Sequence, residues 1–297
     1  MEMKYKKVYI FNLPNIVTGG PEALFQLSHE MLEMGVDCRT HFLGQFENPI
    51  DKEFSAYKCN WDVPLDLDED TLCIIPEVAT GLIGHPLFSK PKMAIWWLSV
   101  DNNNSTFSDF GKEGVLHLYQ SNYAMNYLRK NGAKDMSILF EPINDSYFGY
   151  PKLEKKDKVC YSIKGEAIGI AMQKALPQYE FVMLKGMSRD EVKQNLAESK
   201  LFIDFGHHPG RDRLPRESVT LGTCLLTSKK GSAALQSDVC IPPRFKFYSD
   251  ESHKIKRAIQ ECVDNYELVS EEFEPYRNII RQEKTVFIQH IENLLRL

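Results

Sequence analysis

Short apolar runs alternating with helical stretches, a polar proline-bearing segment near mid-chain and a length of 297 residues predict an α/β protein of two doubly wound domains facing a cleft. A strand with no polar side is buried on both faces, which calls for a parallel sheet with helices crossing over each face. The length exceeds what one core of roughly 150 residues serves, so two cores are expected. The segment GYPKLEKKDK (Gly149–Lys158) has the composition of a linker, placing the domains at 1–150 and 151–297. The last helix, 275–297, is free to pack back toward the first domain.

In the first half, Lys7–Asn12 reads as a strand that feeds the loop Leu13–Gly20. A helix follows with Leu24, Leu27, Met31 and Leu32 on its buried face, stopping at Gly35. Further strands are Val36–Leu43, Thr71–Ile75, Met93–Val100, Val115–Tyr119 and Ser137–Phe140. The second half is more regular: strand Val159–Ile163, a helix ended by Pro177, then strand Glu180–Leu184. Ser188 and Glu191 are spaced as a capping box, the serine accepting from the third helical N–H and the glutamate reaching back. Strand Leu201–Phe205, helix Asp212–Leu221 closed by Gly222, and strand Cys224–Thr227 complete the alternation. Ser252–Tyr266 and Pro275–Leu297 read as two amphipathic helices.

Composition excludes several classes. A net charge of −5 lacks the basic footprint of a nucleic-acid binder. The 7 cysteines show no metal-ligand spacing and read as reduced thiols, and no run approaches the roughly 18 apolar residues of a membrane span. The apolar stretch near the start is too short for a signal-peptide core, so an intracellular, cytoplasmic protein is expected.

Ligands of doubly wound sheets bind beyond the carboxyl ends of the strands, which selects six loops: Leu13–Gly20, Ser99–Asn104, Lys164–Gly165, Lys185–Gly186, Gly206–Arg213 and Ser228–Ala234. The fifth is the richest. Gly206 and Gly210 allow close backbone approach, the following helix start offers free N–H groups to an anion, and Arg211, Arg213 and Arg216 add cations. Glu217 can accept from both hydroxyls of a ribose. The competing reading makes Asp212 a helix cap and the arginines solvated surface. Gly231 and Ser232 can donate main-chain N–H groups to a phosphate, or simply form a surface turn. Lys164 and Lys185 each stand at a helix entrance, where a lysine neutralises phosphate or merely meets water. Gly19 and Gly20, followed by Pro21, let the first loop approach a ligand. Asp101, at a strand tip, is a candidate base toward an acceptor hydroxyl, with a turn role as its alternative, while Trp96 and Trp97 read as packing. The doublet His207-His208 lacks the helical spacing of a zinc pair, and no GxGxxG, P-loop or GxSxG pattern is present.

These residues carry a family resemblance. TGGPEALFQLSHEMLEMGVD resembles the glycine loop, first helix and second strand of GT-B-fold glycosyltransferases, which have two Rossmann-like domains and use nucleotide sugars. ILFEPINDSYF and LPQYEFVMLKGMSRDEVKQNLAESKLFIDFG resemble their interdomain segment and second domain. RLPRESVTLGTCLLTSKKGSA resembles the glutamate-bearing helix and following glycine loop, and WWLSVDN with GHHPGRDRLPRE is similar to a bacterial surface-polysaccharide subgroup.

The resemblance implies transfer of a sugar from a nucleotide-sugar donor to a glycan or lipid-linked acceptor, without a metal cofactor. Glu217 would hold the ribose and Lys164 and Arg213 the diphosphate, Arg213 also stabilising the leaving group. Gly206, His207, Arg211, Gly231 and Ser232 would lie beside the nucleotide sugar, Gly19 and Gly20 beside the transferred sugar, and Asp101 at the acceptor. The chain departs from the retaining families, with Pro209 where the first of their paired glutamates would stand and Tyr161-Ser162 in place of a strand-end arginine. Nucleotide-sugar 2-epimerases share the fold, and a transferase-like subunit that only binds a partner is the non-enzymatic alternative. A lipid-linked acceptor implies peripheral contact with the inner face of the cell membrane, for which Lys4, Lys6, Lys7, Lys90, Lys92, Arg129 and Lys130 are available.

Overall fold

The computed structural model describes residues 3–44, 46–102 and 107–297. The chain divides into two compact units. The first comprises Met1–Pro142, Pro209–Arg211 and Lys284–Leu297, the second Ile143–His208 and Asp212–Glu283.

The first unit holds β1 (Lys7–Asn12), α1 (Gly19–Glu33), β2 (Cys38–Phe42), β3 (Thr71–Pro76), β4 (Lys92–Trp97), β5 (Val115–Tyr119), α2 (Asn122–Lys130) and β6 (Met136–Ile138). Its strands form one parallel sheet in the order β2-β1-β3-β4-β5-β6. Because side chains alternate across a strand, each β-strand feeds two cores. Val8, Ile10, Leu72, Ile74, Ala94 and Trp96 pack on one face with Leu24, Leu27 and Met31 of α1 and with Phe287, Ile291 and Leu294 near the C-terminus. Tyr9, Phe11, Cys73, Ile75, Ile95 and Trp97 pack on the other with Ala124 and Leu128 of α2. The adjacent tryptophans thus face opposite ways, and each indole N–H is satisfied: Trp96 by the Leu139 carbonyl at 2.8 Å, Trp97 by His117 Nδ1 at 3.0 Å.

The second unit holds β7 (Lys156–Ser162), α3 (Glu166–Ala175), β8 (Glu180–Leu184), α4 (Arg189–Glu198), β9 (Ser199–Asp204), α5 (Arg213–Thr220), β10 (Cys224–Ser228), β11 (Lys246–Phe247), α6 (Ser252–Asp264), α7 (Tyr266–Glu271) and α8 (Glu274–Arg281). Its parallel sheet runs β11-β10-β9-β7-β8. The capping box at α4 has both of its hydrogen bonds, Glu191 N–H to Ser188 Oγ and Ser188 N–H to the Glu191 carboxylate. Strand β7 begins at Lys156, inside the segment read as linker, because Lys156 and Lys158 both reach the Glu198 carboxylate at 2.8 and 2.9 Å. The C-terminal region makes more helices than expected. Asn265 ends α6, Pro275 sits in the first turn of α8, and α9 (Glu283–Leu294) follows after Gln282. Among the described residues no helix is long and apolar enough to cross a membrane, and all seven cysteines are free thiols.

Candidate functional site

The carboxyl ends of β7, β9 and β10 bring three loops of the second unit together. Asp204, the last residue of β9, accepts hydrogen bonds from Ser162 Oγ at 3.1 Å and from the Gly206 N–H at 3.2 Å. Ser228, ending β10, donates to the Gly206 carbonyl at 2.6 Å. The Ser232 N–H donates to the His208 carbonyl at 2.9 Å. Gly206 and Gly231 are required by this closeness. A Cβ on Gly206 would lie 2.3 Å from Lys164 Cβ, and one on Gly231, at φ +60°, would lie 2.0 Å from the His208 carbonyl oxygen.

The side chains inside these loops form a chain of charges. Lys164 Nζ donates to Asp212 Oδ2 at 2.9 Å. His208 turns Nδ1 to the same oxygen at 3.1 Å and Nε2 to Asp204 Oδ1 at 3.8 Å. The ring is 1 % exposed and neither nitrogen has an aligned hydrogen bond, so these contacts are ion pairs only when the ring is protonated. Burial opposes charge on His208, but the Asp212 carboxylate at Nδ1 and the Asp204 charge outweigh burial and the Lys164 ammonium. The net effect raises its pKa above the usual histidine value. Burial likewise opposes ionisation of Asp212, yet His208 and Lys164 hold its carboxyl below the ordinary range. Asp204, His208 and Asp212 each place a ligand-type atom within 4.8 Å of the others. With one ring nitrogen on each carboxylate and an ammonium on Asp212, however, the set bridges rather than converging on one point, which does not fit a metal shell.

Helix α5 begins at Arg213, directly after this cluster, with Glu217 buried in its second turn. Asp212 occupies the N-cap position without making a side-chain cap bond, since its carboxylate is engaged by Lys164 and faces His208. The start of α5 thus carries no cap bond from the Asp212 side chain. Arg216, read from sequence as a phosphate ligand, is instead buried in an ion pair with Glu283 at 2.8 Å. Its place one turn into α5 turns it inward. His207 is exposed and His208 buried, so the second member of the doublet is the one that enters the cluster. Sequence reading missed the trio Asp204, His208 and Asp212, although their spacing of four and four across a strand–loop–helix junction was visible.

The remaining candidates lie in the first unit. Gly19 and Gly20 form the first turn of α1. The Arg211 guanidinium stacks on the Phe140 ring at 4.1 Å, and a Cβ on Gly210 would lie 2.2 Å from the Leu98 carbonyl oxygen. Asp101 is exposed and accepts from the Tyr123 hydroxyl at 3.0 Å. Burial first, then Asp101, pushes that phenol up to about 12. Positions 103 and 104 of the same loop lie outside the described residues. Glu77, just past β3, is a further carboxylate that sequence reading missed. Burial pushes it up to about 7 against main-chain hydrogen bonds that include the Leu98 N–H at 3.1 Å. Of the surface lysines proposed to meet a membrane, Lys6, Lys7 and Lys92 are paired with aspartates.

Two parallel-sheet Rossmann-like units, the second with a charged loop cluster at its carboxyl edge, define the GT-B type of fold. No family model and no curated protein matches the chain. Solved structures do match. A glycosyltransferase from Rickettsia africae is 13% identical over 98% of this chain and 97% of its own, with a TM-score of 0.69. Anabaena HepE in complex with UDP is 11% identical over 97% and 99%, with a TM-score of 0.70. A sucrose-phosphate synthase from Thermosynechococcus elongatus is 10% identical over 97% and 98%, with a TM-score of 0.68. At these identities the likeness is one of fold.

Proposed function

We propose that the chain is a glycosyltransferase that moves a sugar from a nucleotide-sugar donor, a UDP-sugar, to a glycan or lipid-linked saccharide in bacterial surface-polysaccharide synthesis. The observation that carries this is the convergence of the Lys164, Gly206–Asp212 and Gly231 loops at the N-terminal end of α5. UDP is the nucleotide bound in the HepE structure. In this reading Lys164 and Arg213 meet the diphosphate, Glu217 the ribose, and Gly206, His207, Gly231 and Ser232 border the donor. Negative charge that develops on the departing nucleoside diphosphate is stabilised by the helix start and the two cations, without a metal ion. Arg211, Gly19 and Gly20 are assigned to the sugar, and Asp101 to the acceptor hydroxyl at the inner face of the membrane.

The test is a thermal-shift panel of nucleoside diphosphates and their sugars, since a ligand of the folded state raises the melting temperature by mass action. A shift with UDP or a UDP-sugar that Glu217→Ala and Arg213→Ala each weaken by about tenfold supports the reading. No shift with any nucleotide overturns it. Conversion of the donor sugar without any acceptor would assign the chain to epimerisation instead.

A further inference from the structure

We infer that the second unit takes up a proton at His208 when a nucleoside diphosphate sugar binds, so that the ring is a positioning residue which releases Lys164 from Asp212 to the ligand. The inference rests on the donor-site reading above and deepens it. The charged groups that face the ring are Asp204 from the end of β9, Asp212 from the start of α5 and Lys164 from the loop after β7. The β10 loop contributes main chain, through the Ser232 N–H and the close approach of Gly231.

The logic is one of charge balance in a buried space. Two carboxylates share one ammonium and one imidazole. Lys164 is half exposed, at 47 %, and is the member that solvent reaches; His208, at 1 %, is enclosed between the carboxylates. An incoming diphosphate competes with Asp212 for the Lys164 ammonium. When Lys164 turns to the phosphate, Asp212 loses its hydrogen-bonded cation, and the remaining group able to replace that charge is the ring 3.1 Å away. The ligand acts twice in the same direction. It draws off the ammonium whose charge holds the imidazole pKa down, and it adds anionic charge nearby. Both of the ring's nitrogens already face carboxylate oxygens, so the imidazolium forms without rearrangement.

The sign follows from linkage. A group that binds its proton more tightly in the complex makes affinity rise as pH falls, by up to tenfold per pH unit between the free and bound pKa values. UDP-glucose is the suitable probe because its diphosphate does not titrate between about pH 6.5 and about pH 8.5. Calorimetry of the wild-type chain in two buffers of different ionisation enthalpy should show net proton uptake on binding and an affinity that weakens with rising pH. His208→Gln, checked for folding by circular dichroism, should bind with no proton uptake and a flat pH profile. Binding by the wild type without proton uptake overturns the inference while leaving the donor site standing. Proton uptake that persists in His208→Gln or His208→Asn also overturns it. Absence of UDP-glucose binding at every pH overturns the donor-site reading and the proton coupling together.

Discussion

The two ends of helix α5 are both crowded with buried charge, and they are built on opposite principles. At the C-terminal end, Lys155 Nζ donates to the Leu221 and Ser199 carbonyls at 3.0 and 2.9 Å, Arg277 Nε to the Val219 carbonyl at 2.9 Å, and the Tyr266 hydroxyl to the Gly222 carbonyl at 2.7 Å. Cations there satisfy carbonyl groups that a helix leaves open and complement its dipole. At the N-terminal end, Lys164, Asp212, His208 and Asp204 answer mainly one another, and the Asp212 side chain makes no cap bond to the helix. A cavity of about 810 Å³ opens at the C-terminal end, lined by Lys155, Tyr266 and Arg277 among others, yet Lys155 and Arg277 are already held by main-chain carbonyls. Charge fixed by the backbone is scaffold, whereas charge balanced by other side chains can be rebalanced by a ligand.

Three substitutions put that contrast at risk. The largest effect is expected for Arg216→Met, which takes the guanidinium away from the buried Glu283 side chain; both partners are 1 % exposed. Chemical denaturation should show a loss of about 3–5 kcal/mol. A loss below about 1 kcal/mol would mean that this pair is not a structural anchor of α5.

Lys155→Met comes next, at about 1–3 kcal/mol near neutral pH, because carbonyls at the C-terminal end lose their donor. Burial first, with the Arg277 charge adding to it, pushes Lys155 down to about 7 from the ordinary 10.5. The folded protein then holds fewer protons than the unfolded chain between those values. Stability contributed at this site therefore rises as pH increases from about 7 toward about 10.5. Denaturation midpoints measured across that range should climb more steeply for the wild type than for Lys155→Met, and nucleotide affinity should change little in the variant.

Gly231→Ala should reverse the pattern. A side chain at φ +60° with its Cβ on the His208 carbonyl costs roughly 1–2 kcal/mol of stability. Because the substitution pushes apart two loops of the cluster, UDP-sugar affinity should fall by about tenfold or more. If calorimetry finds affinity intact, the N-terminal cluster is scaffold too, and the distinction between the two ends fails.

Much of the fold was written in local pattern. Lys7–Asn12, Val115–Tyr119 and Glu180–Leu184 are strands with the bounds that their apolar runs suggest, and the capping box at Ser188 forms as its spacing implies. Boundaries drifted where distant partners decide. Lys156 and Lys158 join β7 because Glu198 lies beside them, a contact 40 or so residues away that composition does not reveal. The first C-terminal helix stops at Asn265, close to the expected Tyr266, but a further short helix, α7, follows it. The expected helix 275–297 breaks at Gln282, where amphipathic periodicity alone reads through.

For the site, the sequence by itself determined which loops stand at the carboxyl ends of the strands, since strand ends in a doubly wound sheet are fixed by the order of apolar runs. It also supplied the chemistry: glycines, a lysine, arginines and a buried glutamate in those loops. Only the tertiary structure decided which charges face one another. Arg216 and Arg213 are three residues apart, yet the helix turn sends Arg216 into a buried pair with Glu283 while Arg213 begins the helix. His207 and His208 are neighbours, yet one is exposed and the other sits between two aspartates. The energy of a charge depends on its partners and its burial, and both come from strands β7, β9 and β10 lying side by side, which no local stretch of sequence specifies.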